Sequence, residues 1–185
     1  MTPKHTLTLT AYLQSTKAPW TTLLMVNHGQ RAESLVRAPD GYALRVIKGA
    51  KCQTTAGLLT ECARVLDFPD YFGHNWDALE ECLADLEWLP AKGYILLFTD
   101  AAHVLPDDEA EYETFLEILR DAGEAWGSGQ AEMGARRAIP FHVLFAVSER
   151  EKTKRAHWGM KEINAEPTRK ANTQQRPPKR KPSHS

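Results

Sequence analysis

The sequence predicts an α/β protein: a small, mostly parallel sheet of three strands, with a candidate fourth from the N-terminal extension, covered by helices. Three observations carry this. Short apolar runs of strand length alternate along the chain with longer segments whose apolar residues recur at helical spacing. Strands alternating with helices imply crossover connections and parallel pairing. The composition is that of an ordinary folded chain, 185 residues with 42% hydrophobic and 25% charged, long enough to bury a core without disulfides or metal.

In order, Trp20 to Val26 reads as a buried strand and Arg31 to Arg37 as a weak helix. Tyr42 to Ile47 alternates with period two and stops at Lys48-Gly49, which marks a strand. Thr54 or Thr55 can cap a helix whose stripe is Leu58, Leu59, Cys62, Val65 and Leu66. Asp67 to His74 is a loop broken by Pro69 and Gly73. A second helix follows from about Trp76 to Leu86, then a fully apolar strand from Tyr94 to Thr99, a long helix from Glu109 to Trp126, and a last strand from Phe141 to Val147. Residues 1–40 thus form an N-terminal extension with one added strand and a short helix, and residues 41–148 the main domain. After Val147 hydrophobic periodicity is lost, and residues 149–185 read as a basic, Pro-rich, disordered tail that buries too little to offset chain entropy.

The longest apolar run, Ile95 to Phe98, falls far short of the roughly 20 residues a bilayer crossing needs. The first residues lead into alternating Thr and Leu, unlike a signal peptide. Three cysteines, Cys52, Cys62 and Cys82, are an odd number with no Cys-x-x-Cys, which excludes a disulfide framework and fits the cytoplasm. Cys62 and Cys82 fall in apolar helical patterns and read as buried thiols.

The net charge of −1 conceals two opposed halves. Residues 1–148 carry 12 Lys/Arg against 20 Asp/Glu, a balance of −8, and residues 149–185 carry 11 against 4, a balance of +7. Between Glu61 and Glu124 there are 17 carboxylates and 3 basic residues. Self-repulsion of that density costs the folded state stability unless a cationic partner relieves it.

The helix from Trp76 buries Ala78, Leu79, Cys82, Leu83 and Leu86 and turns Asp77, Glu80, Glu81 and Asp85 to the opposite side. Asp77 and Glu81, and Glu81 and Asp85, are like charges one turn apart, each pair costing a few tenths of a kcal/mol. Asp77 alone is favoured by the helix dipole; the whole row reads as a surface meant for cations. On the longer helix, Glu113, Glu117, Asp121 and Glu124 lie opposite the apolar stripe and read as solvated. Before the acidic helix, Tyr71, Phe72 and Trp76 crowd a Gly-His-Asn turn. Aromatics beside a charged patch mark a protein-binding hot spot, although Phe72 is the one expected to wedge the helix onto the sheet.

The segment Phe68-Pro69-Asp70-Tyr71-Phe72-Gly73-His74-Asn75-Trp76-Asp77-Ala78-Leu79-Glu80-Glu81-Cys82-Leu83 resembles the signature of the barstar family, small intracellular inhibitors of barnase-type ribonucleases. The similarity in element order runs from about Tyr42 to Val147. It implies a barstar-like parallel sheet flanked by helices, and a ribonuclease inhibitor or antitoxin rather than an enzyme. It further implies that Asp77 and Glu81 face the nuclease's cationic side chains, with Glu81 entering the site of an RNA phosphate. Tyr71, Phe72, Gly73, Asn75, Trp76 and Glu80 accompany them, and Asp121 is a further acidic contact. The sequence departs from the pattern in having Glu81 for the usual Asp, and Glu80 and Trp76 where the founding member has Trp and Leu. The partner implied is a basic, extracellular-type ribonuclease or nuclease toxin, and no cofactor or metal is implied. No phosphate-binding Gly-rich loop, nucleophile elbow or His/Cys metal spacing is present, and the seven histidines are dispersed. The alternative is a nucleic-acid-associated or other protein-binding module acting through the tail, where Arg176 to Lys181 would make weak, salt-sensitive contacts to phosphates.

Overall fold

The computed structural model describes residues 8–129 and 136–164. In chain order the elements are α1 (Leu9–Leu13), β1 (Thr21–Met25), α2 (Ala32–Leu35), β2 (Ala43–Lys48), α3 (Thr55–Val65), α4 (Trp76–Asp85), β3 (Tyr94–Thr99), α5 (Glu109–Ser128), β4 (Phe141–Val147), α6 (Glu149–Lys152) and β5 (Lys161–Asn164). The strands form one sheet in the order β2-β3-β4-β1-β5, parallel at every pairing. The α/β class and parallel pairing agree with the sequence reading; the strand number is five rather than three or four.

Alternation along the strands sorts the core into two layers. Leu23, Ile47, Leu96, Phe98, Val143 and Phe145 pack under α3, α4 and α5. Leu24, Ile95, Leu97, Leu144, Ala146 and Ile163 pack against α1 and α2 on the other face. Every residue of β4 is buried, which explains its unbroken apolar run apart from His142. Connections that step toward β5 cross on the α4–α5 face. The one that steps back, from β1 to β2, crosses by α2 on the opposite face. A single crossover hand therefore serves both directions, as right-twisted strands require.

The N-terminal segment is built into this frame. β1 lies between β4 and β5, not at an edge. Trp20 lays its ring on the α5 backbone at Gly123 and Gly127, where any Cβ would overlap it, and its Nε1 donates to Glu124 Oε2 at 3.2 Å. On the other face Thr22 donates to the Tyr12 hydroxyl. His142 is fully buried on β4 with Nε2 2.7 Å from the Ser15 carbonyl and its ring 4.2 Å from that of Tyr12. α1 itself was absent from the sequence reading.

The C-terminal boundary needs correction. Residues 149–164, placed in the tail above, carry α6 and β5. Ser148 and Glu151 form a reciprocal capping box that starts α6. Arg155 is buried, with Nη1 donating to Glu109 Oε2 at 2.7 Å and Nη2 to the Val104 and Leu105 carbonyls at 2.8 and 2.9 Å. Its guanidinium lies 3.6 Å over the Tyr112 ring. β5 escaped notice because only Ile163 of its four residues is buried, so its pairing with β1 leaves no periodic apolar signal. Residues 165–185 lie outside the described residues.

Two outcomes test these anchors. Gly123→Ala pushes a methyl into the Trp20 ring and is expected to lower unfolding free energy by about 1–3 kcal/mol in denaturant titrations. Burial pushes the His142 pKa below the ordinary histidine value, against the opposing effect of the Ser15 and Pro19 carbonyls. A folded-state pKa below the unfolded one gives a contribution that is full above about pH 6.5 and is lost as pH falls through the folded value. Unfolding free energy measured between pH 7 and 5 is therefore expected to fall more steeply for the wild type than for His142→Leu.

Candidate functional site

α4 starts where the loop before it allows. His74 takes a left-handed conformation (φ 49°), and Asn75 caps the helix by accepting from the Ala78 N–H at 2.8 Å. Gly73 lies so close to this cap that a Cβ there would come 3.2 Å from Asn75 Nδ2. The far end is held by the chain as well. Trp126 Nε1 donates to the Leu83 carbonyl and Arg136 Nη1 to the Ala84 carbonyl, both at 2.8 Å, and the Arg136 guanidinium lies 3.3 Å over the Trp126 ring. Donors and a positive charge at the C-terminal carbonyls satisfy groups the helix cannot pair internally. Leu79, Cys82 and Leu83 form the buried face.

The opposite face carries Asp77, Glu80, Glu81 and Asp85, all exposed. Some other acids in the same stretch have partners in the chain, while Asp70, Glu87, Asp107 and Glu117 are exposed like the row on α4. Glu61, buried on α3, accepts from Arg64 Nε and Nη2 at 2.9 and 2.8 Å, and those bonds hold its carboxyl below the usual range. Asp67 lies 3.6 Å from Arg45, and Glu109 2.7 Å from Arg155. Glu124 accepts from Trp20, and Glu111 from Thr55 and Trp76. Among the described residues, the carboxylates of α4 make no ion pair; Arg136 lies in the neighbourhood of Asp85.

The three aromatics divide. Tyr71 is 74% exposed. Partial desolvation, then the nearby Cys82, Asp85 and Glu87, push its hydroxyl above the ordinary tyrosine value, which sets the phenol beside the C-terminal half of α4. Phe72 is buried, 4.9 Å ring to ring from Phe68 and 4.8 Å from His74. It wedges the loop onto the core and is withdrawn from the set of direct contacts. Trp76 is half-buried, stacked on Phe115 with centroids 6.0 Å apart, its Nε1 donating to Glu111 Oε2 at 2.8 Å. It belongs first to the helix–helix contact.

Asp121 is exposed on α5. At about 100° per residue, Glu111, Phe115, Ile118, Ala122 and Trp126 turn toward α4, and Asp121 falls on the neighbouring exposed edge. Glu80 lies on the α5 side of α4 by the same projection. One surface results: Tyr71 on one flank, Asp77, Glu81 and Asp85 along the middle, Glu80 and Asp121 on the other. Sequence reasoning missed Glu111, Trp126 and Arg136, because a tertiary partner to a helix end leaves no local pattern. Cavities of about 440 and 380 Å³ lie elsewhere, at the carboxyl ends of the strands and beside α3, and neither touches α4. The three cysteines are free and buried; burial first pushes the Cys52 thiol up to about 12 and the Cys82 thiol to about 11. No described helix is long and apolar enough to cross a membrane.

Residues 42–146 match the family model Barstar (barnase inhibitor). The chain belongs to the barstar family. Among curated proteins, none matches it. The barstar match spans β2 to β4, including α4, its loop and α5, and leaves out α1, β1, α2, α6 and β5. Strands β2, β3 and β4 and the acidic helix of this barstar-family chain therefore lie in the matched part, and β1 and β5 extend the sheet beyond β4.

The two neighbouring loop aromatics are expected to separate in stability measurements. Phe72→Ala opens a cavity and should cost about 3 kcal/mol, whereas Tyr71→Ala should leave the denaturation midpoint within about 0.5 kcal/mol of wild type.

Proposed function

We propose that this protein inhibits a barnase-type ribonuclease by laying α4 and the preceding loop across the enzyme's RNA-binding cleft. An enzyme that holds a polyanion needs a positive cleft. Carboxylates on a rigid helix occupy such a cleft in place of RNA phosphates. The observation that carries this reading is the exposed row Asp77, Glu80 and Glu81, without an ion pair among the described residues, on a helix fixed at both ends. Glu81, in the middle of the row, is the carboxylate assigned to the phosphate position. Asp77 and Asp121 flank it, and Tyr71, Gly73 and Asn75 supply the loop contacts. The partner is a basic ribonuclease or nuclease toxin of the extracellular type, with this chain as its cytoplasmic antitoxin.

The alternative through the tail rests on Arg176 to Lys181, which lie outside the described residues. Of the basic residues counted after position 148, Arg155 is buried on Glu109 and Lys152 pairs with Glu162. Neither is free for phosphate.

Removing one partner of a desolvated charge pair costs about 3 kcal/mol, or about a hundredfold in affinity. Glu81→Ala is expected to weaken binding to a barnase-type ribonuclease by that order and Asp77→Ala by less, measured by titration calorimetry, with unfolding free energy nearly unchanged for both exposed positions. Affinity nearly unchanged in both variants would remove the reading.

A further inference from the structure

The acidic row is useful to a binding partner only if its carboxylates stand at fixed positions, and the described contacts show what fixes their N-terminal half. Glu111 sits in the first turn of α5 and is half-buried. Its Oε2 accepts two hydrogen bonds from two other helices: Thr55 Oγ1, the first residue of α3, at 2.9 Å, and Trp76 Nε1, the first residue of α4, at 2.8 Å. One carboxylate thus joins the starting turns of all three helices on that face of the sheet. Asp77 follows Trp76 directly, and Glu80 lies one turn further on.

The tie has work to do. The loop before α4 enters through a left-handed His74, and α4 begins on a single side-chain cap from Asn75. Repulsion between Asp77 and Glu81 opposes the helix at this end. Trp76 cannot relax outward without leaving both the Phe115 ring and the Glu111 oxygen. A hydrogen bond to an ionised acceptor is stronger than a neutral one and is directional, so it fixes the rotation of α4 about its axis where packing alone would fix only its depth.

We propose that Glu111 is a positioning residue for partner binding: through Trp76 it holds the first turn of α4, and with it Asp77 and Glu80, in the orientation the partner meets. This deepens the inhibitor reading and rests on it for its functional half. Glu111 touches no partner in this account. Its contribution is preorganisation, which lowers the ordering cost of association. The consequence is a division between rate constants. Long-range attraction depends on how much charge the surface carries, whereas residence depends on where each carboxylate stands.

Trp76→Phe keeps the ring on Phe115, removes the N–H and changes no charge. Hydrogen exchange of the Leu79, Glu80 and Glu81 amides is expected to quicken about tenfold, with the thermal midpoint lowered by no more than a few degrees. In stopped-flow binding to a barnase-type ribonuclease the dissociation rate should rise about tenfold, with the association rate unchanged. Glu111→Ala should reproduce the faster exchange and faster dissociation, and Glu111→Gln, which keeps an acceptor oxygen, should restore most of both. Exchange unchanged in Trp76→Phe and Glu111→Ala would overturn the tie, and faster exchange with unchanged dissociation would overturn its role in binding. A wild-type chain that binds no such ribonuclease would bring down the inhibitor reading, and this role with it, whatever the exchange data show.

Discussion

Mutual repulsion among the carboxylates of α4 is the constraint around which the rest is arranged. Asp77, Glu81 and Asp85 are one turn apart, and Glu80 lies beside them. Left alone, a ten-residue helix with this face would lose stability to its own charge. The chain answers by fixing the helix from outside: the Asn75 cap and the Trp76–Glu111 contact at one end, Trp126 and Arg136 at the other, and Leu79, Cys82 and Leu83 beneath. None of these except Arg136 brings a cation near the row. The fold thus keeps the charge and pins the helix, an arrangement suited to meeting positive charge on another molecule.

The same economy appears on α5, with the opposite result. Glu109 is consumed by Arg155, Glu111 by Thr55 and Trp76, and Glu124 by Trp20. Two of those partners, Arg155 and Trp20, come from segments outside the family match. The added N- and C-terminal segments, which pair with each other as β1 and β5, therefore lengthen the sheet and also neutralise or occupy acids away from the α4 side. What remains exposed on α5 near α4 is Asp121, which adds to the row on α4, while Glu117 is exposed on the far side of α5.

How much of this was legible in the sequence depended on how local the cause was. β2, β3 and β4 announced themselves through period-two or continuous apolar runs, and α3, α4 and α5 through helical spacing, because burial against one sheet imposes those periods directly. The row on α4 followed from the same geometry. Elements held mainly by distant partners were opaque. α1 is five residues whose signal, Thr8 as a cap with Leu9, Tyr12 and Leu13 at helical spacing, is short and easily passed over. β5 exists because β1 offers it a backbone edge, and Arg155 reads as one more tail cation until Glu109 and Tyr112 surround it. The loop aromatics were legible as a group but not singly: the sequence cannot say that Tyr71 faces out, Phe72 faces in, and Trp76 spends its N–H on Glu111.

The most direct measurement is steady-state RNA hydrolysis by a barnase-type ribonuclease with increasing amounts of this protein, repeated at several RNA and salt concentrations. A helix of carboxylates seated in the RNA-binding cleft should give one-to-one inhibition that added RNA reverses, that weakens as salt screens the charges, and that is lost when Asp77 and Glu81 are both replaced by Ala. Inhibition indifferent to RNA concentration and surviving that double replacement, or none at all at micromolar protein, would contradict the account.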